Sequence, residues 1–128
     1  MITQCSHLTI LVHNQDEALT FYTNKLGFRL HTDAPFGPER WLTVCPEKNP
    51  DMEFVLALAQ KDEDKALVGK QGGSYGIGIL LTNDAFGDYK KFKDAGITMI
   101  GEPVKEIWGT GFGIKDLYGN TLYINEPA

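Results

Sequence analysis

Residues 6–28 read SHLTILVHNQDEALTFYTNKLGF, and this stretch decides how the rest of the chain is read. Leu8, Ile10 and Val12 alternate with His7, Thr9 and Leu11, the period of a strand that buries one face. Asn14 stands where a helix N-cap belongs, and Glu17 three residues later completes a capping-box pattern. Ala18, Phe21, Tyr22 and Leu26 follow at helical spacing, so that face packs inward. Gly27 supplies a left-handed stop.

The same sentence returns, weaker, at residues 76–97, GIGILLTNDAFGDYKKFKDAGI. A shift of 69 positions lays Leu8 on Ile77, Ile10 on Ile79, Val12 on Leu81, Asn14 on Asn83 and Gly27 on Gly96. A repeat of this length marks two copies of one supersecondary unit.

Working outward from the first copy, residues 28–31 form a short second strand. Residues 34–38, APFGP, read as a loop, because two prolines and a glycine oppose both helix and ladder. Residues 40–45 and 52–58 are the third and fourth strands, the last with Phe54 and Leu56 on one face and Glu53, Val55 and Ala57 on the other. Residues 60–73 change texture: they are charged, end in QGG, and read as a linker with one helical turn. In the second copy Asn83 caps a helix with Phe86, Tyr89 and Phe92 at helical spacing, and Gly96 stops it. Residues 97–100 and 121–125 are strands and 105–108 and 111–115 candidate strands, with Pro103 as a break and DLYGN, residues 116–120, as a turn. With 76–82 as the first strand of the second copy, each half is read as β-α-β-β-β. The expected fold is α+β, two βαβββ modules forming an open barrel-like cleft, with helices on one side of the sheets. The expected division is module one at about 4–59, linker at about 60–74 and module two at about 75–126, all in one domain.

The totals exclude several classes. At 128 residues and 42% hydrophobic, the chain is long enough for a real core. Its net charge of −5 and scattered bases speak against nucleic acid and anionic membrane as partners. No apolar run is long enough to span a bilayer, and the first residues lack the basic start of a secretion signal. Cys5 and Cys45 have no CxxC spacing and read as reduced thiols in a cytoplasmic protein. The glycines of GTGFG, residues 109–113, precede no GK[ST] and no helix, so they are not a phosphate loop.

With LTILVHNQDEALTFYTNKLGF in front and IKDLYGNTLYINEP behind, the chain resembles the vicinal oxygen chelate superfamily, which includes glyoxalase I, bleomycin-resistance proteins, fosfomycin-resistance proteins and extradiol dioxygenases. FYTNKLGF and DLYGN carry the likeness most closely, and it covers nearly the whole chain. The resemblance implies metal ligands on the first strand and near the end of each module. Those positions fall on His7 and Glu53 in the first module, and on Gly76 and Tyr123 in the second. His7 and Glu53 are therefore the candidate catalytic and metal-ligating residues, in an incomplete set, since a catalytic divalent site takes three protein ligands. His13, His31 and Glu126 substitute only if the register shifts. A divalent metal is the cofactor the family allows, and its identity here is unknown. The resemblance also implies a homodimer.

Each candidate has a plainer reading beside it. His7 is a ligand or base, or a half-buried histidine bonded to a neighbour. Glu53 is a ligand or base, or a solvated carboxylate. Thr9, Trp41, Thr43, Trp108 and Tyr123 are candidate small-molecule contacts. Trp41 stacks on a flat ligand or packs in the core or a dimer interface. Trp108 is a lid beside its glycines or an anchor for a surface loop. Tyr123 bonds a ligand or fills space. Three functions follow: a metal-free binder of a small, partly aromatic molecule in the cleft, a metal-dependent lyase, isomerase or dioxygenase, and a non-catalytic structural or regulatory dimer.

Overall fold

The computed structural model describes all residues, Met1–Ala128. The chain divides into two compact units, Met1–Val68 and Gly69–Ala128. Each unit carries one four-stranded sheet, neither sheet closes on itself, and no helix is long and apolar enough to cross a membrane.

In the first unit β1 (His7–Val12) is followed by α1 (Gln15–Thr20), a π-helical turn (Phe21–Lys25), β2 (Arg29–Phe36), β3 (Glu39–Cys45), β4 (Glu53–Leu58) and a short α2 (Asp62–Lys65). The strand order is β1-β4-β3-β2, with β1 and β4 parallel and the other pairs antiparallel. Asn14 caps α1, its side chain accepting from the Glu17 N–H at 2.9 Å. Ala18, Phe21, Tyr22 and Leu26 are all buried, as their spacing predicts. They cover Ile10, Val12, Leu42, Val44, Phe54 and Leu56, one face of the sheet. Phe28 joins this core with its ring 5.2 Å from Phe54 and 5.7 Å from Tyr22. Burying side chains of this size contributes roughly 1.5–3 kcal/mol each, so this face holds the unit together.

The second unit repeats the plan with β5 (Gly78–Leu81), α3 (Ala85–Asp94), β6 (Met99–Glu106), β7 (Gly109–Lys115) and β8 (Thr121–Pro127), ordered β5-β8-β7-β6. Phe92 and Ala85 of α3 are buried over Phe112, Ile114, Leu122 and Ile124. The DLYGN turn forms as expected. Asp116 Oδ1 accepts from the N–H groups of Tyr118, Gly119 and Asn120 at 2.9–3.0 Å, and Gly119 takes φ +103°.

Four expectations change. The cap of α3 is Asp84, which accepts from the Gly87 N–H at 3.0 Å, and not Asn83. Phe86 stays exposed, at 62%, while its neighbour Ala85 turns inward. β2 runs through Pro35, which lies opposite Arg40, so 34–36 are strand rather than loop. β6 likewise runs through Pro103, where its pairing with β7 shifts between Ile100 and Val104. Both prolines survive because β2 and β6 are edge strands, where a missing N–H costs no ladder bond.

The cap correction resets the internal repeat. Asn14 and Asp84 lie 70 positions apart, whereas Gly27 and Gly96, both at φ 83°, lie 69 apart. The odd residue is in the π-helical turn, where the Leu26 N–H reaches back five residues to the Phe21 carbonyl at 3.1 Å. The first strands, β1 and β5, therefore align with a shift of 70. A one-residue slip in a strand exchanges its two faces, so the change matters. Thr9 and Leu11 now correspond to Ile79 and Leu81, and His7 corresponds to Ile77 rather than Gly76.

Candidate functional site

The helix-free face of the first sheet carries most of the candidates. Strand alternation and the register His7↔Glu53 put His7, Thr9, Glu53, Val55, Trp41 and Thr43 on this side. Glu53 is the centre. Its Oε2 lies 2.9 Å from His7 Nε2, and its Oε1 lies 3.0 Å from His31 Nδ1. The fully buried Thr43 donates its hydroxyl to the same Oε1 at 2.8 Å. The Glu53 side chain is only 14% exposed, so these donors replace water that burial removes. His7 Nδ1 is 2.7 Å from Ser6 Oγ, and His31 Nδ1 is 2.8 Å from Thr32 Oγ1. The His7 ring lies 5.8 Å from that of Trp41, which in turn lies 6.0 Å from Phe36.

His31 is the residue that sequence alternation misplaces. Leu30 pairs with Val44 and Thr32 with Thr43, so His31 is the extra residue of a β-bulge in β2. The bulge turns it toward Glu53 together with Thr32. The only signal available in the sequence is that His31 ends the short strand pattern of residues 28–31 next to a β-branched residue, which does not identify a bulge.

Arg40 sits beside this face and is fully committed. Its Nε and Nη2 hold both oxygens of Asp33 at 2.9 Å, and its Nη1 holds Asp16 at 2.7 Å. The bonds to Asp33 and Asp16 push the Arg40 guanidinium above its ordinary range. The hydrogen bond from Arg40 holds the Asp33 carboxyl below the usual carboxylate range. A second hollow, about 450 Å³, lies alongside, lined by Gln15, Phe36, Trp41, Val55 and Ala57 among others.

The second sheet offers something different at the matching positions. Through the registers Thr43↔Val55 and Gly113↔Tyr123, Gly113 stands where Thr43 does, Gly111 where Trp41 does and Gly109 where Glu39 does. Three alternate positions of β7 therefore lack side chains on one face. A trough of about 540 Å³ occupies the space, walled by Ile79, Ile100, Val104, Trp108 and Tyr123. A Cβ on Gly113 would stand 3.1 Å from Ile100 Cβ and 3.3 Å from Tyr123 Cε1, so the glycine lets these walls close in. Trp108 is 66% exposed at the tip of the β6–β7 hairpin, and Tyr123 is 38% exposed.

The donors do not fit a three-ligand metal centre. By the shared register, Ile77 and Thr121 take the places of His7 and Glu53. Neither offers an imidazole or a carboxylate. Thr121 Oγ1 instead accepts from the Lys115 ammonium at 2.8 Å, which sets a cation where a metal ligand would be needed. No group of three or more His, Cys, Asp or Glu gathers in a geometry for a metal ion. The candidates thus divide into His7, Thr9, Trp41, Thr43 and Glu53 on one sheet, and Trp108 and Tyr123 on the other.

Residues 4–124 match the profile of the Glyoxalase/Bleomycin resistance protein/Dioxygenase superfamily. The chain belongs to that superfamily. Within it, YetH of Bacillus subtilis (strain 168) is 33% identical over 131 residues, covering 98% of this chain and all of YetH at 100%. Among solved structures, UcmS2 superposes with a TM-score of 0.87 at 36% identity, over 98% of this chain and 99% of UcmS2. TnmS3, an antibiotic binding protein from Streptomyces sp. CB03234, superposes with a TM-score of 0.81 at 26% identity, over 99% of this chain and 98% of TnmS3. Superfamily membership accounts for the βαβββ pairs, while the chemistry depends on which side chains each copy presents.

Proposed function

We propose that this superfamily member binds a flat, largely apolar small molecule in the glycine-floored trough of its second module, without a complete metal site. The trough carries the reading. It is walled by apolar side chains and flanked by two aromatic rings, the lining that small-molecule sites usually have. The likeness to TnmS3, an antibiotic binding protein, supports small-molecule binding. The protein on this reading is a cytoplasmic homodimer whose Cys5 and Cys45 remain thiols, as both are in the structure. Light scattering during gel filtration checks the dimer.

A thermal-shift screen of planar aromatic compounds tests the binding. A ligand at about 100 times its Kd raises stability by about 2.7 kcal/mol. It also quenches tryptophan fluorescence, and Trp108→Ala or Tyr123→Ala weakens binding roughly tenfold. A broad screen without a hit, or hits indifferent to both substitutions, overturns the proposal.

A second reading rests on Glu53. A carboxylate held by two imidazoles and a hydroxyl is placed to take or relay a proton. It would make His7 and Glu53 catalytic, with His31 as their positioning residue. Glu53→Gln then abolishes turnover of a bound compound and leaves its affinity unchanged.

A further inference from the structure

The trough has an electrostatic sign. Its lining includes two carboxylates, Glu102 and Glu106, and no lysine, arginine or histidine. Neither glutamate forms an ion pair. Lys105 lies between them in sequence, but it pairs with Thr110 in the alternate register and so belongs to the other face of β6. Lys115, at the far end of β7, is bound to Thr121. The first module treats its acids differently. There Glu53 is met by His7, His31 and Thr43, while Asp33 and Asp16 are met by Arg40. In the second module two acids beside an apolar wall are left uncompensated.

We infer that the occupant of the trough is a planar aromatic cation. This rests on the trough being a binding site, as proposed above. Three independent features converge on the class. The glycine floor and the walls of Ile79, Ile100 and Val104 admit a thin apolar body. Trp108 and Tyr123 offer π faces, and a cation over a ring is attracted by its quadrupole. Glu102 and Glu106 supply the counter-charge next to low-dielectric walls, where a pair interacts more strongly than in bulk water. An anion of the same shape meets two like charges. The net charge of −5 draws a cation toward the surface from farther away.

Three probes of nearly one shape test the inference: N-methylacridinium, acridine at mildly alkaline pH where it is uncharged, and acridine carboxylate. Binding is read by probe fluorescence and by titration calorimetry. The expected order is cation, then neutral, then anion, with the cation roughly tenfold tighter than the neutral probe. Added salt weakens the cation alone. The double substitution Glu102→Gln with Glu106→Gln, both at exposed positions, closes the gap between the cation and acridine when both are measured on the same variant. Equal affinity of cation and neutral probe, or a preference that survives the double substitution, overturns the charge assignment and leaves the trough as a neutral-ligand site. If none of the three probes binds, and every hit of the wider screen is neutral or anionic, the inference fails while the binding site stands. Absence of any hit removes both.

Discussion

Arg40 shows how one side chain organises its surroundings. Its guanidinium fork takes both oxygens of Asp33 and reaches Asp16 at the start of α1, so it ties the β2–β3 pair to the helix. The folded state lowers the Asp33 pKa, chiefly through the Arg40 hydrogen bond. A lowered pKa means the contribution is fully present above the ordinary carboxylate value of 3.8 and is lost as pH falls through the lower folded value. Asp33→Asn is therefore expected to reduce stability slightly at neutral pH, as surface pairs do. The difference from the parent protein closes as pH drops below the carboxylate range. Urea unfolding across pH checks this, and a gap that persists in acid sinks it. Glu53 is the other residue around which a site forms. His7 and Glu53 were both legible as candidates, from the resemblance and from strand alternation, and the parallel register of the fold brings them together. His31 was not legible. Its place at Glu53 follows from a bulge, and a bulge is settled by how two strands pair.

At the scale of elements, the helices were readable in place and the first in its buried face, while the π-helical turn and the cap of α3 were not. Asn14 and Glu17 announced the first cap correctly. Asn83 imitated it in the second copy because the repeat was aligned on Gly27 and Gly96, across a π-helical turn that adds one residue. Propensity does not separate Asn83 from Asp84, since both residue types cap well. The corrected assignment makes a direct prediction. Asn14→Ala and Asp84→Ala each cost about 1 kcal/mol of stability, and Asn83→Ala costs a few tenths at most. Chemical denaturation measures all three, and a loss at Asn83 equal to that at Asp84 contradicts the hydrogen bond to Gly87. The prolines teach a related lesson. Pro35 and Pro103 read as breaks, yet both lie in strands. A strand tolerates proline when it lies at an edge, and strand order is invisible in a linear pattern.

Across the whole molecule, the two copies have diverged on one face and agreed on the other. Their buried faces are interchangeable in kind: Ile10, Leu42, Val44 and Leu56 in one unit, Phe112, Ile114, Leu122 and Ile124 in the other. Their helix-free faces differ, with a histidine–glutamate centre and Trp41 in the first and a floor of glycines in the second. His7, His31 and Glu53 do gather, but the near nitrogen of each imidazole is turned onto a Glu53 oxygen, and the three form no metal-binding group. Dialysis against a chelator is therefore expected to leave the thermal midpoint and the affinity for a trough ligand unchanged. A fall of several degrees that returns with a single divalent ion contradicts the ligand count. The repeat, the class of fold and the superfamily were determined by the sequence alone, because hydrophobic period, caps and glycine stops are local signals that each copy states for itself. Tertiary structure alone decided that His31 joins Glu53, that β1 aligns with β5 at 70 rather than 69, and that Gly111 and Gly113 line a trough beside Trp108 and Tyr123. Those outcomes depend on strand register and on which positions of neighbouring strands face one another, and neither is written in the spacing of a single segment.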